Sequence, residues 1–314
     1  MTTPLYPAGQ TPYCTLPELL AAPTGIQWST IPAIASATQQ MKNNEALNIL
    51  GRATARADGF CKQVLRATAV TEQLYGPDYY VTVQSGSGLG RAILSYWPIL
   101  QITSVQVSPN SFPRQWKTVP AGYWDIERPV VSIYNSVAPS AAPIGGQAIL
   151  IAQGYVNWCC GRNGFAVQVS YINGWPHTST TSAVDADATT IPVEDCTGWA
   201  ITGEFGQTGA AGLVYDSGNQ ETVQVTGASA TSGPGNLTIA SPLAFAHAAN
   251  VMITTLPQSV IDATILYAAA QALQRGATST TIHAIPGGPG GGGDGPESKI
   301  ALAEGLLAPF RATI

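Results

Sequence analysis

The sequence contains few charged residues and, over one long stretch, no positive charge at all. Only 10% of the 314 residues are charged. Between Arg162 and Arg275 there is no Lys or Arg, although several acids lie there. Because proteins bind nucleic-acid phosphates with cationic side chains, this stretch is unsuited to gripping DNA. The basic residues of the first half alternate with acids, which indicates a solvated face or a subunit contact rather than a DNA-binding patch.

Long apolar runs and paired cysteines are also absent. No run approaches the roughly 20 apolar residues of a membrane span, and MTTPLYPAGQ lacks the regions of a secretion signal. We therefore expect no membrane contact and a site of synthesis and use in solution. The cysteines are odd in number and form no CxxC pair or cluster with His, which predicts reduced, mostly buried thiols and no zinc. They are Cys14, Cys61, Cys159, Cys160 and Cys196.

Helical and strand patterns alternate along the chain, which predicts an α+β fold. TLPE at 15–18 matches a capping box and predicts a short helix to about Ala22. A long helix is predicted at 36–66, because one stripe collects its apolar residues, and a closing helix at 257–275 ends at Gly276. The stripe consists of Ala46, Leu50, Ala53, Ala57, Phe60 and Val64. We expect the two helices to pack together, with Leu50, Phe60, Ile261 and Ile265 in the shared core, or the stripe to face a neighbouring copy.

Two β-rich segments lie between these helices. From Tyr79 to Tyr171, short runs of β-branched and aromatic residues predict antiparallel strands, and Pro129 places YWDIERPV at a sheet edge or a strand end. Residues 176–254 have shorter runs separated by Gly and Asn, which predict an inserted small β-sandwich or barrel. The predicted domains are therefore a core of 1–175 with 255–284, and the insert at 176–254, which we expect to be a dispensable folding unit.

The chain ends in a glycine-rich stretch and an apolar arm. IPGGPGGGGDGPESK, from Ile285, lacks the Gly-Lys-Ser/Thr ending of a phosphate loop and carries Asp294, so a flexible tether at 285–296 is predicted instead. The arm at 297–314 is too short to be a stable helix alone. We expect it to dock on another subunit, the alternative being that it packs on its own chain. Its candidate docking residues are Ile300, Leu302, Leu306, Leu307 and Phe310.

No group of residues indicates a reaction, a cofactor or a metal. The three histidines, His177, His247 and His283, fall in predicted turns or linkers, and no GxSxG motif accompanies them. The acids at 185–195 lack the spacing of a calcium loop, and exposed acidic turns explain them better. Aromatic pairs such as Tyr96 with Trp97 could stack on sugars, although strand aromatics are more often core residues. We expect no enzyme activity, no catalytic residue, no bound cofactor and no metal site.

Several segments resemble the head-to-tail connector, or adaptor, proteins of tailed bacteriophages. The matching segments are TLPELLAAP, ATARADGFCKQVLRAT, RAILSYWPILQITSVQVSP, VQVSYINGWP and LPQSVIDATILYAAAQALQRG, which cover about 15–175 and 255–276. A recurring pattern of that family is matched by Arg91, Trp97, Pro98, Ile102 and Val105. The insert departs from the compact family pattern, but DATTIPVEDCTGW and PLAFAHAANV resemble small β modules of phage structural proteins.

The resemblance implies a structural virion protein of the phage neck, assembled in the host cytoplasm. Such adaptors form rings, usually of twelve copies, that join the portal protein to a downstream neck or tail protein and extend the DNA channel. It also implies that DNA passes the lumen without specific binding and that the arm docks on the portal. The alternatives are a stopper or tail-completion ring, or a tail-associated carbohydrate-binding or hydrolytic protein whose active module is the insert.

Overall fold

The computed structural model describes residues 11–75 except Ala33 and Ala35, 81–83, 90–109, 112–127, 148–151, 165–199, 210–279 except Ser217, and 295–312. Helices and antiparallel sheets occur together in these ranges, so the predicted α+β class is confirmed. No helix within them is long and apolar enough to cross a membrane. Of the predicted tether at 285–296, only the last two residues lie inside the described ranges.

The chain divides into two compact units. The first, here called the helix–barrel unit, contains Met1–Leu65 and Pro176–Arg311; the second, the sheet unit, contains Arg66–Trp175 and Ala312–Ile314. These boundaries differ from the predicted domains, because the insert at 176–254 groups with the helices and the strands before it form the other unit. Contacts from residues 11–14 to both the insert and the long helix account for this grouping.

The first two helices of the helix–barrel unit begin at a threonine cap. Helix α1, Leu16–Ala21, begins where the Thr15 hydroxyl accepts the Glu18 amide at 3.3 Å. Helix α2, Gln39–Cys61, is shorter at both ends than predicted, because the Thr38 hydroxyl accepts the Met41 amide and Lys62 adopts a left-handed conformation with φ 55°. Helix α3 spans Gln258–Gln274, and helix α4 spans Pro296–Leu307. The short strands β1, Ile26–Gln27, and β16, Thr278–Ser279, pair antiparallel.

Helices α2 and α3 pack on each other, but the buried stripe of α2 differs from the predicted one at its end. Leu50 is buried in α2, as Ile261 and Ile265 are in α3. Phe60 and Val64 are only half-buried, whereas Cys61 and Leu65 are fully enclosed. The physical reason is the helix end at Cys61: position 61 lies one turn beyond buried Ala57, and the residues after Lys62 no longer follow the helical period. Phe60 lies under the Arg311 guanidinium, 5.1 Å from its ring centroid.

Residues 177–254 form a six-stranded antiparallel sheet in the order β10-β15-β12-β13-β14-β11. Its first and last strands are joined where the Glu194 amide donates to Ser179 O and the Thr181 amide donates to Pro192 O, both at 3.0 Å. The sheet therefore closes into a small barrel, one of the two predicted forms. The strands are β10 His177–Ser179, β11 Thr190–Val193, β12 Ala211–Tyr215, β13 Glu221–Ala228, β14 Gly235–Ile239 and β15 Met252–Thr254.

The barrel has a hydrophobic core of its own. All of the core residues come from 184–253, and Trp199 is the largest fully buried side chain among them. Trp199 lies against Gly212 of β12, where an added Cβ would approach the indole ring to 2.8 Å. Only glycine leaves room for the ring at that point. A side chain at position 212 would therefore require a smaller residue than tryptophan at position 199.

The sheet unit consists of two four-stranded antiparallel sheets, in the orders β2-β9-β5-β6 and β3-β4-β8-β7. Strand β7, from the segment YWDIERPV, is the outermost strand of its sheet among the described residues and ends at Glu127, which agrees with the predicted edge or strand end. In the first sheet, the long strands β5 and β9 pair over most of their length and bury Val105, Val107, Val167 and Val169. The strands are β2 Thr68–Tyr75, β3 Val81–Val83, β4 Gly90–Ile93, β5 Ile99–Pro109, β6 Lys117–Thr118, β7 Trp124–Glu127, β8 Ala148–Ile151 and β9 Phe165–Asn173.

Candidate functional site

His247 is enclosed between two carboxylates of the barrel. Its Nδ1 lies 3.1 Å from Asp216 Oδ2 and its Nε2 lies 2.8 Å from Glu221 Oε1, with 1% of the side chain exposed. Burial acts to raise the pKa of Glu221, but hydrogen bonds from the Ala244 amide, from His247 and from the Phe245 amide outweigh it, so the pKa lies below its usual value. With carboxylates at both ring nitrogens, His247 fastens the loop before β15 and is not positioned to activate a nucleophile.

His177 belongs to strand β10 rather than to the predicted turn, and it holds the chain just before α1. Its Nε2 lies 2.9 Å from Pro12 O and its Nδ1 lies 2.9 Å from Thr254 Oγ1. Since Pro12 O can only accept, Nε2 carries the proton and Nδ1 accepts from the threonine hydroxyl. His177 also contacts the Tyr13 ring edge-on, with 5.6 Å between centroids. His283, the third histidine, lies outside the described residues.

Tyr13 connects the barrel to helix α2. Its amide donates to Thr54 Oγ1 at 3.3 Å, and its hydroxyl donates to Asp58 Oδ1 at 2.5 Å. The same hydroxyl accepts the Leu65 amide at 3.1 Å, and Tyr13 is fully buried. Sequence reasoning missed this strap of residues 11–14, because a short polar segment before a helix gives no periodic signal.

The acids considered as calcium ligands do not converge. Asp195 Oδ1 accepts the Thr197 amide, the Thr197 hydroxyl and the Gly233 amide at 2.9, 2.6 and 3.0 Å, so it organises a turn. Asp185 and Asp187 are exposed, whereas Glu194 is buried at 4% exposure. In the part of the chain that the structure describes, no three His, Cys, Asp or Glu residues are grouped as metal ligands.

Helix α4, the first part of the predicted docking arm, packs on α3 and contacts α2 of the same chain. Its buried residues Lys299, Ala303 and Leu307 are spaced four apart and so share one face. Lys299 Nζ donates to Thr24 O at 3.0 Å. Beyond the helix, Gln63 Nε2 donates to Phe310 O at 2.8 Å. The structure thus has the alternative arrangement, in which the arm packs on its own chain.

The outer face of α4 remains exposed and apolar. Leu302 is 59% exposed and Leu306 is 36% exposed, one turn apart on the helix. Ile300 and Phe310 are half-buried, so of the five candidate docking residues only Leu307 is withdrawn into the core. Helix α4 therefore has one face anchored in its own unit and one apolar face directed at solvent.

Two of the segments that carry the adaptor resemblance lie next to each other in the sheet unit. Trp97 contacts Trp175 edge-on, with 5.8 Å between ring centroids, and Pro98 O accepts the Gly174 amide at 2.9 Å. Ile102 and Val105 of β5 are buried. The segments RAILSYWPILQITSVQVSP and VQVSYINGWP, far apart in the sequence, are therefore neighbours in space.

No protein-family model matches the chain, and no curated protein matches it. Among solved structures, the chain is similar to one from the neck of an empty GTA particle computed with C6 symmetry, with 12% sequence identity over 95% of this chain and 93% of that chain and a TM-score of 0.34. A TM-score this low does not establish a shared fold.

Proposed function

We propose that the chain is a non-enzymatic structural protein of a phage neck that forms a ring between the portal and the tail and extends the DNA channel. The observation that carries the proposal is that two segments of the adaptor resemblance, more than 50 residues apart in the sequence, meet at Trp97, Pro98, Gly174 and Trp175. A spatial contact between separately matched segments is expected if both belong to one structural motif. The absence of Lys and Arg between 162 and 275 suits a protein that DNA passes without adhering.

The exposed face of α4 is the surface that we assign to the portal. Leu302 and Leu306 supply apolar area, while Leu307 and Lys299 hold the helix in place. A preformed helix loses less conformational entropy on docking than a free arm would. The arm thus needs no release from its own chain to bind, which corrects the expectation that it has no packing partner until it meets another subunit.

Point substitutions test the docking surface better than a deletion, because removing 296–314 would also remove Leu307 from the core. The double variant Leu302→Ser with Leu306→Ser should keep the melting temperature and lose co-sedimentation with purified portal rings. Met41→Ser, at a similarly exposed apolar position on α2, is the matched control. Full binding by the double variant would contradict docking through this face.

The neck assignment itself is tested by imaging. Virions assembled with the chain carrying a small tag should show a ring of extra density between portal and tail. Density elsewhere on the tail, together with glycan binding by the purified chain, would favour the carbohydrate-binding alternative. A ring that lies away from the portal would indicate a stopper or tail-completion protein.

A further inference from the structure

The helix–barrel unit has an open cleft whose lining is apolar and acidic. The cleft has a volume of about 630 Å³ and is bordered by α1, the β12–β13 turn, residues 248–251 and Ile265 of α3. Small and aliphatic side chains form most of its surface, and Glu18 and Asp216 are its charged residues. A cleft of this size lies within the range of about 300–1,000 Å³ in which proteins bind ligands or side chains of partners.

The half-buried side chain of Glu18 lines this cleft. Its Oε2 is buried and makes no hydrogen bond among the described residues. Burial raises the pKa of Glu18, the Thr15 hydrogen bond lowers it, and the nearby charge of Asp262 raises it again. A cation placed in the cleft would offset the negative charge of Glu18, which lines it, and so relieve the repulsion from Asp262.

The sheet unit exposes a segment of complementary chemistry. Phe112, in the connection between β5 and β6, is 99% exposed, the highest value of any large apolar side chain that the structure describes. Arg114 and Lys117 follow it, and the segment 112–118 contains no acid. The Arg114 guanidinium lies 4.1 Å from the centroid of the Tyr75 ring and is two residues from Phe112 in the sequence.

We propose that Phe112 and Arg114 of one copy of the chain insert into the cleft of a neighbouring copy, with the guanidinium meeting Glu18. The two surfaces differ, so the contact is head-to-tail, the type that closes into a ring when the rotation allows. An aromatic side chain buries roughly 150–250 Å². This is far less than the roughly 1,200–2,000 Å² of a stable interface, so the contact is an anchor within a larger one. The inference rests on the proposed ring.

Photo-crosslinking of the full chain tests the contact. A benzophenone amino acid replaces Phe112, and ¹⁵N-labelled and unlabelled chains are mixed. The mixture is illuminated in two conditions, at the highest soluble concentration of the chain and after binding to portal rings. We expect crosslinks between a labelled and an unlabelled chain that map to residues 15–22 or 248–251. Crosslinks confined to one chain, crosslinks that map elsewhere, or none at all would overturn the proposal.

Charge exchange tests the pairing. Arg114→Glu should weaken self-association about tenfold or more, and Glu18→Arg in the same chain should restore most of it. Arg52→Glu, which makes the same charge change at an exposed position of α2, is the control for net charge. Phe112→Ser should also weaken association, whereas Phe245→Ser, at an exposed aromatic of the barrel, should not. No restoration by the exchanged pair, with both single variants folded, contradicts the contact.

The two experiments separate this contact from the ring itself. Rings that form on the portal while position 112 crosslinks elsewhere would leave the proposed function in place and remove this anchor. A chain that stays monomeric on the portal would remove both.

Discussion

The barrel and the helical layer lie in the same unit but are built in opposite ways. The barrel core is drawn wholly from residues 184–253, and its sheet closes on itself. The helical layer combines α2 with α3 and α4, which lie about 200 residues further along the chain. Its contacts rely on small residues, since Ala53, Ala57, Ala269, Ala272 and Ala303 are all fully buried. The barrel thus depends on local pairing and the helical layer on long-range assembly.

This difference determines how each region should respond to damage. A contiguous, closed core loses stability through its own side chains, and its neighbours need not change. A layer assembled from distant segments loses all three helices when one contact fails, because each helix supplies part of the surface that buries the others. The following predictions break or sharpen that contrast, in order of decreasing effect.

Leu50→Ala should have the largest effect, because it leaves a cavity where α2 faces α3. We expect a loss of about 2–5 kcal/mol in the free energy of unfolding, measured with urea. The same truncation at Phe60, which is half-buried beneath Arg311, should cost about 1 kcal/mol or less through lost contact and the lost cation–π interaction. Equal losses at the two positions would mean that the helix seam follows the predicted stripe after all.

Two excisions compare the barrel with the strap that attaches it. In the first variant, an Asn-Gly turn replaces 180–251 and joins Ser179 of β10 to Met252 of β15, which are paired in the structure. This variant keeps His177 and its bond to Pro12. In the second variant, a Gly/Ser link replaces 176–254 and removes both the barrel and that bond. We expect both chains to fold, with the second about 1–3 kcal/mol less stable, because Pro12 O and the buried Tyr13 ring lose their partner. Circular dichroism during urea unfolding measures both.

The outcome of these excisions also tests the prediction that the insert is dispensable. Its ends do lie close together, since the Thr255 amide donates to Pro176 O at 2.9 Å. If the chain with the Asn-Gly turn in place of 180–251 does not unfold cooperatively, the helices depend on contacts with the barrel other than the strap. If the chain with the Gly/Ser link in place of 176–254 is equally stable, the bond between His177 and Pro12 does not stabilise the fold.

Sequence patterns were sufficient where the structure depends on near neighbours. The TLPE cap, the Gly276 helix end and the β-rich insert follow from local chemistry, and each is present. The strap at Tyr13 was not predictable, because it depends on residues brought together from distant segments. The position of α4 was left between two alternatives, since its apolar residues suit both a partner and its own chain.

Gly212→Ala tests how tightly the barrel core is packed. The added methyl group would lie 2.8 Å from the Trp199 ring, so the indole must shift. We expect a loss of about 1–3 kcal/mol, confined to the barrel, with a change in tryptophan fluorescence before global unfolding. Gly227→Ala is the matched control on β13, where nothing lies within 4 Å of an added Cβ. An equal effect at both glycines would attribute the loss to backbone conformation.

Glu194→Gln should have the smallest effect, with the opposite sign. Burial raises the pKa of Glu194, and the nearby side chains of Ser179 and Thr11 oppose only part of the rise, since neither carboxylate oxygen has a hydrogen-bond partner among the described residues. In the window between the ordinary and the raised pKa, the folded state binds more protons than the unfolded state, so the carboxylate lowers stability as pH rises through it. Glutamine cannot ionise and removes this loss. We expect a gain of about 1 kcal/mol at neutral pH and almost none below the ordinary carboxyl pKa, measured by urea unfolding at both pH values.

The control is Asp187→Asn, at an exposed position of the same barrel, which should change stability by less than about 0.5 kcal/mol at either pH. A gain at Glu194 that does not depend on pH would show that packing, rather than the buried charge, is responsible.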